Sequence, residues 1–326
     1  MSKINLIYLS PWNVGGSTSF TAHLAHSLML NSIAVDILRV GKRTEHFIRP
    51  LGSFNLHYRN VSLEDMLKEI KKTPSLLTAP APMKSLCDPD SIEKMIKAGM
   101  RVVVHDPNEF TMYQHLPYVD NPIIIRKNNS RFFEKSVFIP HPYLRTFPNG
   151  TGLAKTKKAV CTTLITNMKN IETILEANRK VSKKNKVVFV GKENRFYTHH
   201  KIKPKFPEFE GSAGFARSLH ASPDISKDYE FSIDLTVFKE DGGDSSYSIL
   251  EAMDAEAVPV LHTGWTRFKG RLRHGVNCMS IESADQLADI LNNKHDRTSY
   301  VKEGTKFLSR HRPDKIARLY FNELCK

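Results

Sequence analysis

The stretch whose reading decides the fold runs from Asp241 to Gly264, DGGDSSYSILEAMDAEAVPVLHTG. It opens as a polar, glycine-bearing loop and continues at helical spacing through Ile249, Leu250, Met253 and Ala257. It leaves through Pro259 into the apolar run Val258-Pro-Val-Leu261. Apolar residues three and four apart put one face of a helix against a core, and a proline biases the residue before it towards extended structure. A loop, a short helix and a buried strand are therefore predicted in that order. Ser245, Ser246 and Ser248 bring hydroxyls suited to capping the helix start. The first turn of a helix has N–H groups without intrahelical partners and the positive end of the dipole, which suits a diphosphate. Glu251 stands one turn in, where a carboxylate would accept hydrogen bonds from a pair of ligand hydroxyls.

The run SILEAMDAEAVPVLHTG resembles the nucleotide-sugar signature of retaining glycosyltransferases of the GT-B type. That resemblance implies an α/β fold of two Rossmann-like domains facing across a cleft, with a C-terminal helix crossing back to the first domain. It implies that Glu251 holds the nucleotide ribose and that Ser245, Ser246 and Tyr247 are loop contacts to the diphosphate and sugar. The family usually carries a second glutamate eight positions before Glu251, and Gly243 stands there instead; Asp241 and Asp244 are out of register.

The N-terminal end gives the same kind of unit. Lys3 to Leu9 is an apolar strand, then comes SPWNVGGSTS, then a helix from Phe20 to Asn31. Strand, glycine turn and helix open a Rossmann-like unit. Gly15-Gly16 is not a GxGxxG and by spacing alone is a tight turn. GGSTSFTAHLAHSL resembles the family's GG loop, which implies that Gly15, Gly16 and Ser17 approach the donor. Ala34 to Leu38 is the second strand, and Leu63–Lys72 and Ser91–Ala98 are amphipathic helices on either side of a proline-bearing segment, Pro74 to Pro89.

Arg101-Val-Val-Val-His105-Asp106-Pro107 is a short strand running into a polar stop, and active groups in such sheets lie beyond the carboxyl ends of strands. By spacing alone, His105 capping the strand and Asp106 making a turn with Pro107 is the favoured reading. VVVHD resembles a stretch of the phage DNA α-glucosyltransferases, which implies that Asp106 positions or deprotonates the acceptor hydroxyl with His105 beside it. Pro122 to Arg126 and Ser136 to Pro142 are further strand ends. Between them Arg126, Lys127 and Arg131, with Phe132 and Phe133, form a basic loop with aromatics that would contact a polyanion or simply cover the core.

Arg145 to Lys158, rich in Pro, Gly, Thr and Lys, is read as the linker. The domains are then residues 1–150, 151–305 and a returning helix, 306–326. In the second half Ala159–Ile165, Asn170–Val181 and Lys186–Val190 repeat strand, helix and strand. The resemblance implies an Arg and a Lys that grip the diphosphate; Lys169 takes the lysine place, and Leu164 stands at the arginine place. Lys169 also fits an ordinary solvated lysine at a helix start. Gly191 and Lys192, at the following strand end, and Arg267, in the basic run Arg267–Arg273, are assigned to the donor as well. His199-His200 and the lysines after them read as solvated surface, since a metal site wants more ligands.

Composition sets the outer limits. The 326 residues are 40% hydrophobic and 25% charged, which fits two globular domains. No apolar run approaches a membrane span, and no signal-peptide core opens the chain. Cys87, Cys161, Cys278 and Cys325 are scattered, which points to a cytoplasmic setting without a disulfide framework. A formal charge of +14 favours a polyanionic partner. Together these readings describe a cytoplasmic, monomeric retaining glycosyltransferase with a UDP-sugar donor and no obligatory metal. Its acceptor would be a hydroxymethylated pyrimidine, such as hydroxymethylcytosine, in double-stranded bacteriophage DNA. The alternatives are a transferase acting on a lipid-linked or polysaccharide acceptor at a membrane surface, and a non-catalytic DNA-binding α/β protein.

Overall fold

The computed structural model describes residues 2–10, 15–41, 48–50, 56–79, 87–105, 119–214, 218–236, 244–267 and 271–326. They divide into two compact units, Met1–Leu144 with His311–Lys326, and Arg145–Arg310.

The first unit is built on a sheet of eight strands: β1 (Lys3–Tyr8), β2 (Ala34–Val40), β3 (Ile48–Pro50), β4 (His57–Val61), β5 (Ser75–Ala79), β6 (Arg101–Val104), β7 (Ile123–Ile124) and β8 (Val137–Phe138). Their order is β3-β4-β2-β1-β5-β6-β7-β8, parallel throughout except for the edge strand β3. Helices cover both faces of such a sheet, so its strands are apolar runs without alternation; every residue of β5 is buried. The proline-bearing segment 74–89 thus begins with a central strand, where the sequence reading had a connection. Leu-Leu-Thr-Ala lacks β-branched residues apart from Thr78, and burial on both faces, not propensity, makes it a strand.

Helix α1 (Gly16–Leu30) lies on this sheet, burying Phe20, Leu24 and Leu28. α2 (Leu63–Lys72) starts at Ser62, whose hydroxyl accepts from the Asp65 N–H at 3.1 Å. α3 (Pro89–Lys97) starts at Asp88, whose carboxylate accepts from the Ser91 N–H at 2.6 Å, and proline at the first helical position costs no hydrogen bond. The C-terminal helix Pro313–Leu324 belongs to this unit. Its Tyr320 packs edge-on against Phe20 of α1, ring centroids 6.0 Å apart, and its Glu323 receives a hydrogen bond from Arg101 of β6 at 3.0 Å.

The second unit has five parallel strands, β9 (Lys157–Cys161), β10 (Val187–Phe189), β11 (Tyr229–Asp234), β12 (Val258–His262) and β13 (Met279–Ile281), in the order β10-β9-β11-β12-β13. Helices α4 (Ile171–Arg179), α5 (Tyr247–Asp254), α6 (Ala284–Asn292) and α7 (Thr298–Leu308) pack around it. One core joins Ile174, Phe206, Phe231, Val260 and Leu287. α7 backs α5 closely: a side chain on Gly304 would stand 3.3 Å from Met253.

Each sheet has a place where the chain turns to opposite sides. In the first unit β1 leads to β2 on one side while β5 pairs on the other; in the second, β9 is flanked by β10 and β11. Ligands of doubly wound sheets sit outside the carboxyl ends of the strands at such points.

Candidate functional site

In the second unit this point lies beyond the ends of β9 and β11. β11 ends at Asp234, which is buried, and α4 is preceded by the turn Asn167–Lys169. Lys169 Nζ stands 3.4 Å from Asp234 Oδ1 and donates to Thr236 Oγ1 at 2.5 Å. Asp234 also accepts from the Thr236 N–H at 3.1 Å, from the Thr236 hydroxyl, and from Ser248 Oγ at 2.5 Å. Burial alone would push the Asp234 carboxyl up. The Lys169 ammonium and the Ser248 and Thr236 donors more than offset it and hold the group below the usual carboxylate range. Asp234 therefore stays charged, and it fixes the lysine head beside the first turn of α5.

The start of α5 differs in detail from the sequence expectation. Ser246 occupies the N-cap position, but its hydroxyl makes no capping bond and pairs instead with Ser248 Oγ at 2.8 Å. Ser248, in the first turn, passes the chain of hydroxyls on to Asp234. Ser245 and Tyr247 are buried, and Ser246 is half-buried. Glu251 follows one turn later and is partly buried. Burial drives its carboxyl up to about 7, the Ser222 hydrogen bond opposes this, and the Asp234 and Asp254 charges add to it. Asp254 has a separate task. Fully buried, it accepts from Arg145 Nε at 2.9 Å and from the Thr146 N–H at 2.5 Å, clamping the chain where it enters this unit.

The other donor assignments stand on neighbouring loops. Gly191 has its N–H bonded to Ser212 Oγ at 2.9 Å, and a side chain there would collide with the Thr163 carbonyl oxygen at 1.8 Å. Its lack of a Cβ is thus already required by the packing of β10 on β9. Lys192 is exposed on the adjoining loop, and its carbonyl accepts from the Ile165 N–H at 3.0 Å. Arg267 is paired with Glu282, which also takes the Thr263 hydroxyl at 2.8 Å.

In the first unit Gly15 caps α1 with φ 115° and ψ −179°, a conformation essentially confined to glycine, and its carbonyl accepts from the Ser19 N–H at 3.0 Å. A side chain on Gly15 or Gly16 would meet nothing within 4 Å, and Ser17 is half-buried. Close beneath this turn Tyr8 Oη and Thr18 Oγ1 are 2.8 Å apart, and Thr21 donates to Thr78 Oγ1 at 2.8 Å, joining β1, α1 and β5. His105 is buried at the end of β6, 2.7 Å from the Thr78 carbonyl and edge-on to Phe20. Asp106 lies outside the described residues.

The basic loop needs one correction. Lys127 and Arg131 are exposed on the turn Lys127–Phe132, Arg131 lying over the Phe132 ring at 4.7 Å. Arg126, by contrast, is only 6% exposed. The apolar run Ile123–Ile125 carries it inward, where its charge, after burial itself, helps to depress His141. It is not placed to meet a polyanion at the surface.

Asp234, Thr236 and Ser222 were not singled out in the sequence. An aspartate inside the apolar run Phe231-Ser-Ile-Asp-Leu was the available signal, since an acid at a buried strand end needs a partner. Among the described residues no group of three or more His, Cys, Asp or Glu side chains could hold a metal ion, and no helix is long and apolar enough to cross a membrane.

Two doubly wound α/β units, with the last helix packed on the first, define the fold of the GT-B glycosyltransferases. Solved structures of that fold match the chain over nearly its whole length. An α-glucosyltransferase in complex with UDP-glucose and DNA containing an abasic site aligns with a TM-score of 0.69 at 14% identity, covering 99% of both chains. Anabaena HepE in complex with UDP and glucose aligns with a TM-score of 0.69 at 12% identity, covering 100% of both. S. aureus TarM, a mutant solved with UDP, Fondaparinux and alpha-GlcNAc-glycerol, gives 0.71 at 12% identity, again over 100% of both. No protein-family model and no curated protein matches the sequence.

Proposed function

We propose that the chain is a retaining glycosyltransferase that moves a sugar from a UDP-sugar to the hydroxyl of a hydroxymethylated pyrimidine in double-stranded DNA. The observation that carries the donor half is the fixed cation at the crevice of the second unit. Lys169 is held by Asp234 and Thr236 beside the opening turn of α5, with Glu251 one turn further on. When the bond from the sugar to the diphosphate breaks, negative charge grows on the departing oxygen. A preorganised ammonium and the first N–H groups of α5 stabilise that charge without reorganising. Glu251, as carboxylate, accepts from the ribose hydroxyls. The new bond forms from the acceptor oxygen to the same sugar carbon, and the acceptor proton passes to Asp106, with His105 as its neighbour.

The acceptor is argued from charge and from likeness. The chain is formally +14, and affinity for DNA comes largely from neutralised phosphates. Among the similar structures are α-glucosyltransferases solved with UDP and DNA, one of them with a 13-mer containing a HMU base. A base hydroxyl within a duplex is reached most simply by turning the base out of the stack. A second reading, a non-nucleic acceptor, draws on the other neighbours, which include the pneumococcal O-GlcNAc transferase GtfA with UDP and GlcNAc. Labelled UDP-sugars incubated with hydroxymethylated duplex, unmodified duplex, lipid extract and polysaccharide separate the two. Label in the hydroxymethylated duplex alone supports the proposal, and label in any other acceptor overturns the DNA assignment.

A further inference from the structure

The segment Arg195-Phe-Tyr-Thr-His-His-Lys-Ile202 follows β10 and contains the His199-His200 pair that the sequence presents as solvated surface. Its two faces differ sharply. Tyr197 packs on the core of the second unit, and Thr198 and Ile202 are buried. Asn194 accepts from the Tyr197 N–H at 3.1 Å, and the Lys203 N–H bonds the Thr198 carbonyl at 2.9 Å across a π-helical turn. The turn is therefore anchored.

Its outer face presents Phe196, 72% exposed, with the His200 ring against it at a centroid distance of 4.4 Å and an angle of 43°. No acidic residue occurs between positions 195 and 205, whereas Arg195, Lys201, Lys203 and Lys205 do. The platform also stands near the donor crevice. The loops after β9 and β10 are zipped together by hydrogen bonds from the Ile165 N–H to the Lys192 carbonyl and from the Asn194 N–H to the Ile165 carbonyl, both 3.0 Å. Lys169 lies four residues beyond Ile165. A large ring held out to solvent on a rigid turn beside Arg195 and Lys201, with Lys205 turned to Glu172 at 2.7 Å, is the combination that binds the faces of nucleobases and their phosphates.

We propose that Phe196 and His200 form a stacking platform for an unstacked base of the DNA acceptor, with Arg195 and Lys201 against the adjoining phosphates. This rests on the DNA reading given above. The test uses the full chain and a hydroxymethylated duplex labelled for anisotropy, titrated at several salt concentrations. Phe196→Ala should weaken duplex binding roughly 5- to 150-fold with the salt slope unchanged, and Phe196→Trp should restore it. Arg195→Gln with Lys201→Gln should instead flatten the slope of log affinity against log salt by about 1.8. UDP affinity, measured by calorimetry, should be unchanged in all of these variants. Wild-type affinity for duplex that survives in Phe196→Ala would overturn the platform and leave the DNA reading standing. A wild-type chain that binds UDP but no duplex would overturn both. A change of oligomeric state on Phe196→Ala, with duplex binding intact, would reassign the ring to contact between copies of the chain and overturn the platform.

Discussion

Lys169→Met is the most informative perturbation, because it strips the counter-ion from a buried carboxylate and leaves the Ser248 and Thr236 hydroxyls donating to it. In the wild type the Asp234 side chain is 6% exposed and that of Lys169 20%. Breaking a buried ion pair by removing one partner costs about 3–5 kcal/mol, since the remaining charge is left uncompensated. Ser248 and Thr236 still donate to Asp234, so the lower end, about 3 kcal/mol, is expected. For a unit of this size that is a fall of about 6–12 °C in melting temperature. The pH dependence identifies the cause. In the wild type the folded-state pKa of Asp234 is depressed, so its stabilisation is full above the unfolded value of about 3.9 and is lost as pH falls through the folded value. In the variant burial prevails and the folded pKa rises above 3.9, so the carboxylate destabilises at neutral pH and is relieved as it takes up a proton. The gap between the two proteins should therefore be widest near pH 7 and close as pH falls towards 4. Urea unfolding without nucleotide at pH 7 and pH 4.5 measures it. A gap below 1 kcal/mol, or one that does not change with pH, would refute the pairing.

Glu251 gives the opposite sign. Its folded pKa is raised to about 7, so its cost to the fold grows from the unfolded value up to pH 7 and is complete above it. Glu251→Gln should therefore melt higher than wild type at pH 8 and near it at pH 5, by differential scanning fluorimetry, while losing UDP affinity at pH 8. By the same titration, wild-type UDP affinity should rise with pH through about 7, and calorimetry that finds no such rise would remove the ribose role. Gly191→Ala places a Cβ against the Thr163 carbonyl and should destabilise by about 1–3 kcal/mol, read by urea unfolding. Gly15→Ala forces an L-residue to φ 115° in otherwise open space; a loss of about 1–3 kcal/mol without any steric clash is expected, and unchanged stability would show that the turn relaxes.

Much of this architecture was legible in order along the chain. The Ser248–Gly264 run predicts the helix and strand that the structure contains, and Leu63–Lys72 has the bounds its periodicity requires. Those signals are local: side chains three, four or two apart report which face is buried, whatever the rest of the chain does. The resemblance carried by Glu251 and the Gly15-Gly16 turn likewise needs only neighbouring residues, and net charge needs none. What the sequence could not decide is which distant residues meet. β5 is a central strand because both its faces are covered, and nothing in Ser75–Ala79 says so. Arg126 is drawn inward by the strand before it, so a basic triplet on paper becomes two exposed cations and one buried one. The site itself depends on Lys169, Asp234 and Ser248, which lie 65 and 14 residues apart in pairs and meet only because β9 and β11 are neighbours. Composition sets how much charge a chain carries, but the strand order sets which charges share one low-dielectric corner, and there their pKa values and their chemistry are made.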